Sequence, residues 1–245
     1  MMRDSCDGGY WGWDLSANHA AMVGLDEEGR VIDWFLFWGT HLKPADARHV
    51  FRVPTFKGDN RLRDLQRLAW WNQLFTKLVS KSEKAKPKAI ALEDYAYGAG
   101  GAGHLSVAEI GGAARLAVWS AEVPLRLIDV QSVKMFATGK GNATKDQVVE
   151  AVNGQWMKGA PFGAGRSKLS LCVTGKQNPD TDLADALTLA HMVRLEAMLR
   201  RGSTKLEQLP PHHVRYFLRT TKTQPVNALG GDWLWVHGLS AKNKP

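Results

Sequence analysis

Four acidic residues sit where a carboxylate is costly to place. Asp14 lies between Trp13 and Leu15 in an apolar segment. Glu93 closes the run Ala89-Ile90-Ala91-Leu92, and Asp182 and Asp185 open a long apolar helical pattern. A carboxylate taken out of water must be paired, hydrogen-bonded or cation-bound. The i, i+3 spacing of Asp182 and Asp185 places both on one helical face. Acids in a first turn also complement the helix dipole, which is a purely structural role. As a set, the four would converge at the ends of two strands and the start of one helix. They would repel strongly there unless cations neutralised them. An all-oxygen ligand set selects Mg²⁺, with Mn²⁺ as a substitute. Two such ions about 4 Å apart suit in-line hydrolysis of a phosphodiester by water.

Positioning those acids requires particular elements. Tyr10 to Leu15 alternates at period two, with Tyr10, Gly12 and Asp14 on one face and Trp11, Trp13 and Leu15 on the other. A turn at Ser16-Ala17-Asn18 leads to a strand over 20–25. The Glu27-Glu28-Gly29 turn leads to another over Val31–Trp38, completing a β-meander. Residues 41–56 read as loop. Leu62, Leu65, Leu68, Ala69, Phe75, Leu78 and Val79 have helical spacing over 59–79. Ala89 to Tyr95 reads as a strand buried on both faces. A glycine-rich loop, 98–103, precedes a small-residue helix over 104–121 containing Gly111, Gly112, Ala113, Ala114 and Ala117. A strand over 125–130 and helices over 131–137, 144–152 and 182–200 follow. Asp180 or Thr181 is the expected N-cap of the last helix. This order predicts an α/β fold: a mixed five-stranded sheet, meander plus αβ units, flanked by helices. Residues 1–202 are read as one domain and 203–245 as a basic C-terminal extension.

The chain has 245 residues and a net charge of +8. Residues 59–88 carry eight basic against three acidic side chains, and 202–245 carry six against two. Such excess favours a polyanionic partner, either nucleic acid or an anionic membrane surface. With only Cys6 and Cys172, neither a disulfide framework nor a four-ligand zinc site is expected. No apolar run approaches the ~18 residues of a membrane span. Met1–Asp7 has no apolar core of a secretory leader. There is no GxxxxGK[ST] phosphate loop, so a nucleotide cofactor is not expected. His212 and His213, being adjacent, are a poor metal pair.

Five blocks in order resemble the RuvC-type Holliday junction resolvases of the RNase H-like superfamily, in particular their phage-borne branch. They are Gly12-Trp13-Asp14-Leu15-Ser16; Ala91-Leu92-Glu93-Asp94-Tyr95-Ala96-Tyr97-Gly98; Ala108-Glu109-Ile110-Gly111-Gly112-Ala113; the run from Ser132 to Lys145; and Thr181-Asp182-Leu183-Ala184-Asp185-Ala186-Leu187. The resemblance spans about residues 9 to 200. It implies an RNase H-like fold and a homodimer that cuts a four-way DNA junction symmetrically, leaving 5′-phosphate and 3′-hydroxyl ends. Asp14 would bridge two metal ions, Glu93 would hold one, and Asp185 with Asp182 in support would complete the other. Lys134 and Lys145 match phosphate-contacting positions. The turn around Lys140 offers backbone N–H groups and a cation to phosphate. Tyr95 and Tyr97 would stack on unpaired bases at the crossover. The small-residue helix would suit a close dimer contact, or equally packing on the sheet.

The implied setting is the cytoplasm of a bacterium or phage-infected host. Two other readings remain at this stage: an RNase H-like nuclease acting on forks, flaps or RNA–DNA hybrids, and a non-catalytic junction-binding protein. The segment 41–60 and the tail after 202 have no counterpart in the family pattern. The tail's Arg215, Arg219 and Lys222 are candidates for added phosphate contacts, and Trp233 and Trp235 for packing.

Overall fold

Period-two alternation in the first strand determines which layer each of its side chains enters. In the computed structural model, residues 8–16, 19–38, 49–80, 86–94, 102–156, 179–220 and 227–231 are described. Strand β1 (Tyr10–Leu15) is followed by β2 (His19–Leu25), β3 (Val31–Trp38) and β4 (Val50–Arg52). Helix α1 (Asn60–Val79), β5 (Ala89–Glu93), α2 (Ala102–Ser120) and β6 (Leu125–Ile128) come next. Helices α3 (Val130–Thr138), α4 (Lys145–Trp156), α5 (Pro179–Arg200) and α6 (Pro211–Leu218) complete the order. The six strands form one mixed sheet in the order β4-β3-β2-β1-β5-β6. Strands β1 and β2, and β2 and β3, are antiparallel, while β1–β5, β5–β6 and β3–β4 are parallel.

Helices cover both faces. Trp11 and Trp13 pack with Phe35, Phe37, Trp71, Phe75, Ile90 and Leu92 under α1 and α2. Trp13 stacks on Phe75 at 5.4 Å. The opposite face carries smaller side chains: Ala21 and Val23 of β2, and Ala89 and Ala91 of β5, lie against α5, α4 and α3. Gly12 belongs to this face. A Cβ there would stand 1.9 Å from the Ala186 carbonyl oxygen and 2.4 Å from the Ala190 amide nitrogen. Real Cβ atoms never approach so closely, so glycine is what lets α5 rest on β1.

Four features differ from expectation. The sheet has six strands, not five, because β4 forms beside β3. A three-residue strand is too short to show a period, so 41–56 read as loop. Strand β5 stops at Glu93 rather than Tyr95, and β6 stops at Ile128 rather than Val130. Asp129 instead caps α3, accepting from the Ser132 amide at 2.9 Å. Helix α5 begins at Pro179, so Asp180 and Thr181 lie inside its first turn instead of capping it. Proline is well suited to a first helical position, since its missing N–H is not needed there.

Part of the extension packs on the core. In α6, His213, Tyr216 and Phe217 are buried against Phe136 and Met135 of α3. His213 stacks on Phe136 at 3.8 Å and 7°. Cys6, Cys172, Tyr95, Tyr97, the Ala17-Asn18 pair, most of the glycine-rich loop, Lys222, Trp233 and Trp235 lie outside the described residues. Among the described residues no helix is long and apolar enough to cross a membrane.

Candidate active site

Asp14 and Glu93 end adjacent parallel strands whose register runs through Trp13 and Leu92. Both carboxylates share the parity of Gly12, Ala89 and Ala91, so both face α5. Helix α5 runs antiparallel to β1. Its Ala186 and Ala190 lie over Gly12, and Arg201 beyond its end reaches Glu27, which also accepts from Tyr10 at the start of β1. That direction delivers the first turns of α5, with Asp182 and Asp185, to the strand ends that carry Asp14 and Glu93. The neighbouring Asp94 has the other parity. It is tied to Arg115 of α2 at 2.8 Å.

The acids act on one another. Burial holds the Asp14 carboxyl well above the ordinary carboxylate range, and Glu93, Asp185 and Asp182 raise it further against the opposing pull of Lys145. Glu93 is pushed to about 8, first by burial and then by Asp185 and Asp182, with Lys145 and Lys134 opposing. Asp185 rises to about 6, again mainly through burial, while Lys145 and Lys134 counter Asp182. Four of the expected residues are therefore one electrostatic unit. Such a set is poised to exchange protons for a hard cation.

Its donor chemistry fits Mg²⁺ or Mn²⁺: every donor is a carboxylate oxygen, and the four side chains are half-buried. Among the described residues, no three His, Cys, Asp or Glu side chains are already gathered into a ligating cluster.

The cations take unequal places. Lys145 opens α4, whose Thr144 exchanges hydrogen bonds with Gln147, and its ammonium lies 3.5 Å from Asp182. Burial alone would lower the Lys145 pKa, but Asp182, Asp185 and Asp14 together raise it. Lys134, on α3, acts on Glu93 and Asp185. Lys140 lies on the exposed turn after Gly139, whose φ of 81° closes α3 in the left-handed conformation. No interaction with the acids places it beside Lys134 and Lys145.

His19 was missed by the sequence reading. It begins β2 on the site's face and stacks on Trp38 at 3.8 Å. Burial lowers its pKa, and Asp182 and Lys145 act on it with opposite signs. The available signal was parity: His19 is in phase with Ala21 and Val23, which face α5.

No protein-family model and no curated protein matches this chain. Among solved structures it is similar to RuvC of Thermus thermophilus: 20% identical, covering 79% of this chain and 96% of that one, with a TM-score of 0.45. The same bacterium's RuvC in complex with a Holliday junction substrate is 18% identical, covering 79% and 95%, with a TM-score of 0.48. The yeast mitochondrial Holliday junction resolvase Ydc2 is 18% identical, covering 80% and 81%, with a TM-score of 0.43.

Proposed function

We propose that this protein is a metal-dependent endonuclease that resolves four-way DNA junctions. The observation that carries the nuclease reading is the placement of Asp14 and Glu93 at adjacent strand ends, on the face covered by α5, whose first turns carry Asp182 and Asp185. A four-acid site beside two lysines on a basic chain suits phosphodiester hydrolysis better than binding alone. The junction as substrate follows from the resemblance of the five sequence blocks to RuvC-type resolvases.

Asp14, Glu93 and Asp185 would hold Mg²⁺, two ions per site, with Asp182 in support. When bound, the ions supply Lewis-acid stabilisation of the negative charge that develops on the reacting phosphate. The chain's own residues do the rest. Lys134 and Lys145 bring a phosphate to the acidic centre and offset its repulsion. Asp182 holds Lys145 at the rim while no phosphate is present.

A homodimer would suit a two-fold symmetric substrate. Helix α2 offers a stripe for it: Ala108, Gly112, Leu116 and Trp119 face outward, with Leu116 60% and Trp119 40% exposed. A side chain added at Gly112 would meet nothing within 4 Å.

The test is cleavage of a labelled four-way junction, with linear duplex, flap and RNA–DNA hybrid controls, with and without Mg²⁺. Paired nicks that require Mg²⁺ and vanish in Asp14→Asn are expected. Asp14→Asn should bind the junction at least as tightly as the wild type, because repulsion toward phosphate is relieved. Normal cutting by Asp14→Asn would exclude this site. Preferential cutting of flaps or hybrids would keep the chemistry and replace the substrate. Tight junction binding with no cutting would leave a binding protein.

A further inference from the structure

Helix α6 belongs to the extension that the family pattern does not include, yet it is fixed to the core with unusual care. Its inner face buries His213, Tyr216 and Phe217, with Phe136 edge-on to the latter two. Farther along, the carbonyls of Ala228 and Gly231 are held by Arg126 and Arg200, and both guanidiniums clamp the fully buried Glu196. Burying a carboxylate is costly unless it is paired and hydrogen-bonded as here. Helix α6 and residues 228–231 are thus both fixed to the core.

What this rigidity presents is positive charge. From 208 to 231 the chain has no acidic residue. Arg215 is exposed on α6. Arg219, at its C-cap, lies against the start of α3, where one N–H reaches Ser132 Oγ at 3.4 Å. Ser132 Oγ itself donates to Asp129, so it can accept from Arg219. The remaining guanidinium donors of Arg219 form a planar fork suited to phosphate. Two residues on, Lys134 projects from another side of α3 and acts on the acid cluster. Helix α3 packs against both α4, which carries Lys145, and α6.

We infer that α6 is a second phosphate-binding element: Arg215 and Arg219 grip the backbone of the duplex arm that leaves the acidic centre. The inference rests on the nucleic-acid reading of that centre. Helix α6 packs on the helix that carries Lys134, which packs in turn on the helix that Lys145 opens. Packed helices lie about 8–10 Å apart. At about 3.4 Å of rise per base step, a contact on the neighbouring helix falls a few nucleotides from the one made by Lys134. At that distance the contact is to backbone and reads no sequence.

The test uses the full chain and compares wild type with Arg215→Ala/Arg219→Ala, without Mg²⁺. Binding is titrated with salt on a junction with 20-base-pair arms, on the same junction with arms trimmed of their charge by neutral methylphosphonate linkages from the third phosphate outward, and on a linear 20-base-pair duplex. On long arms and on duplex, the slope of log K against log salt should fall by about 1.8 in magnitude, two contacts at about 0.9 each. On trimmed arms the two proteins should bind alike. Arg215→Lys/Arg219→Lys should recover the wild-type slope, which a merely structural role would not do. Arg215→Ala alone, at an exposed position, should lose about half the effect even if the double variant folds poorly. Equal slopes on long arms overturn the inference, and so does an equal loss on trimmed arms. Cleavage of the same junction in Mg²⁺ is scored separately, so an inactive wild type would count against the nuclease reading and not against the arm contact.

Discussion

Glu93 shows how a site residue acts against stability. Its carboxyl is pushed to about 8 from the usual range near 4.5, so the folded protein binds a proton that the unfolded chain has already released. The sign follows: stability is fully present below about pH 4.5 and is lost as pH rises through about 8. Replacing the charge should therefore stabilise the metal-free protein. In Glu93→Gln, melting at pH 8 without metal should rise on the order of 3 °C, with little change at pH 5. The rise should disappear when Mg²⁺ is added, because the wild type then gains stability by binding and the variant does not. A variant that melts lower at pH 8 would mean that Glu93 is held by a partner and not by repulsion.

At the scale of elements, the decisive contact is α5 on β1. Gly12 lies directly under α5, and the two nearest atoms that a Cβ would meet there are backbone. A backbone contact cannot be relieved by a rotamer change, so the helix must move. Gly12→Ala should cost about 3 kcal/mol or more of unfolding free energy in a urea titration. It should also separate Asp185 from Asp14, so cutting should fall by more than the loss of folded protein explains. Wild-type stability would show that the approach is looser than the geometry indicates. Parity works at the same scale. Glu93 enters the site while Asp94 pairs with Arg115, because consecutive strand residues point to opposite faces.

At the scale of the whole molecule, groups far from the site set the acid side of the stability profile. Glu27, in the β2–β3 turn, accepts from Arg201, Lys88 and Tyr10, which hold its carboxyl near 2. That contribution is present above about pH 4.5 and is lost as pH falls toward 2. His213 is kept neutral by burial, with its pKa lowered to about 4, while the unfolded chain takes up the proton near 6.5. Its contribution is lost as pH falls from about 6.5 to 4. The site acids act in the opposite sense, and Asp185 and Glu93 remove stability as pH rises through about 6 and 8. Above about pH 4.5 the two site acids outweigh His213, so metal-free protein should be most stable near pH 4.5, as read by melting temperature across pH 3–9. Glu93→Gln should flatten the alkaline limb and Glu27→Gln the limb below pH 4.5. A profile that rises steadily to pH 9 would contradict the buried acid cluster.

Much of this was legible in the residues. The acids stood out because apolar neighbours made them expensive, and period two in Tyr10–Leu15 already put Asp14 on the face of Gly12. The meander and the long last helix followed from periodicity, which a strand or helix with one buried face must show. Short-range patterns do not record what depends on distant neighbours. Strand β4 exists only because β3 offers it an edge. The proline start of α5 lies outside the apolar period. His19 meets Asp182 and Lys145 only after β2 pairs with β1 and α5 crosses them. The placement of Arg219 against Ser132 is likewise tertiary, since it requires α6 to bury His213, Tyr216 and Phe217 on α3. Which residues could do chemistry is set by the residues themselves, because a charge among apolar neighbours is written in local composition. Only the folded chain decided which of them meet, because that depends on how closely two elements can approach, and here a glycine without a side chain sets that distance.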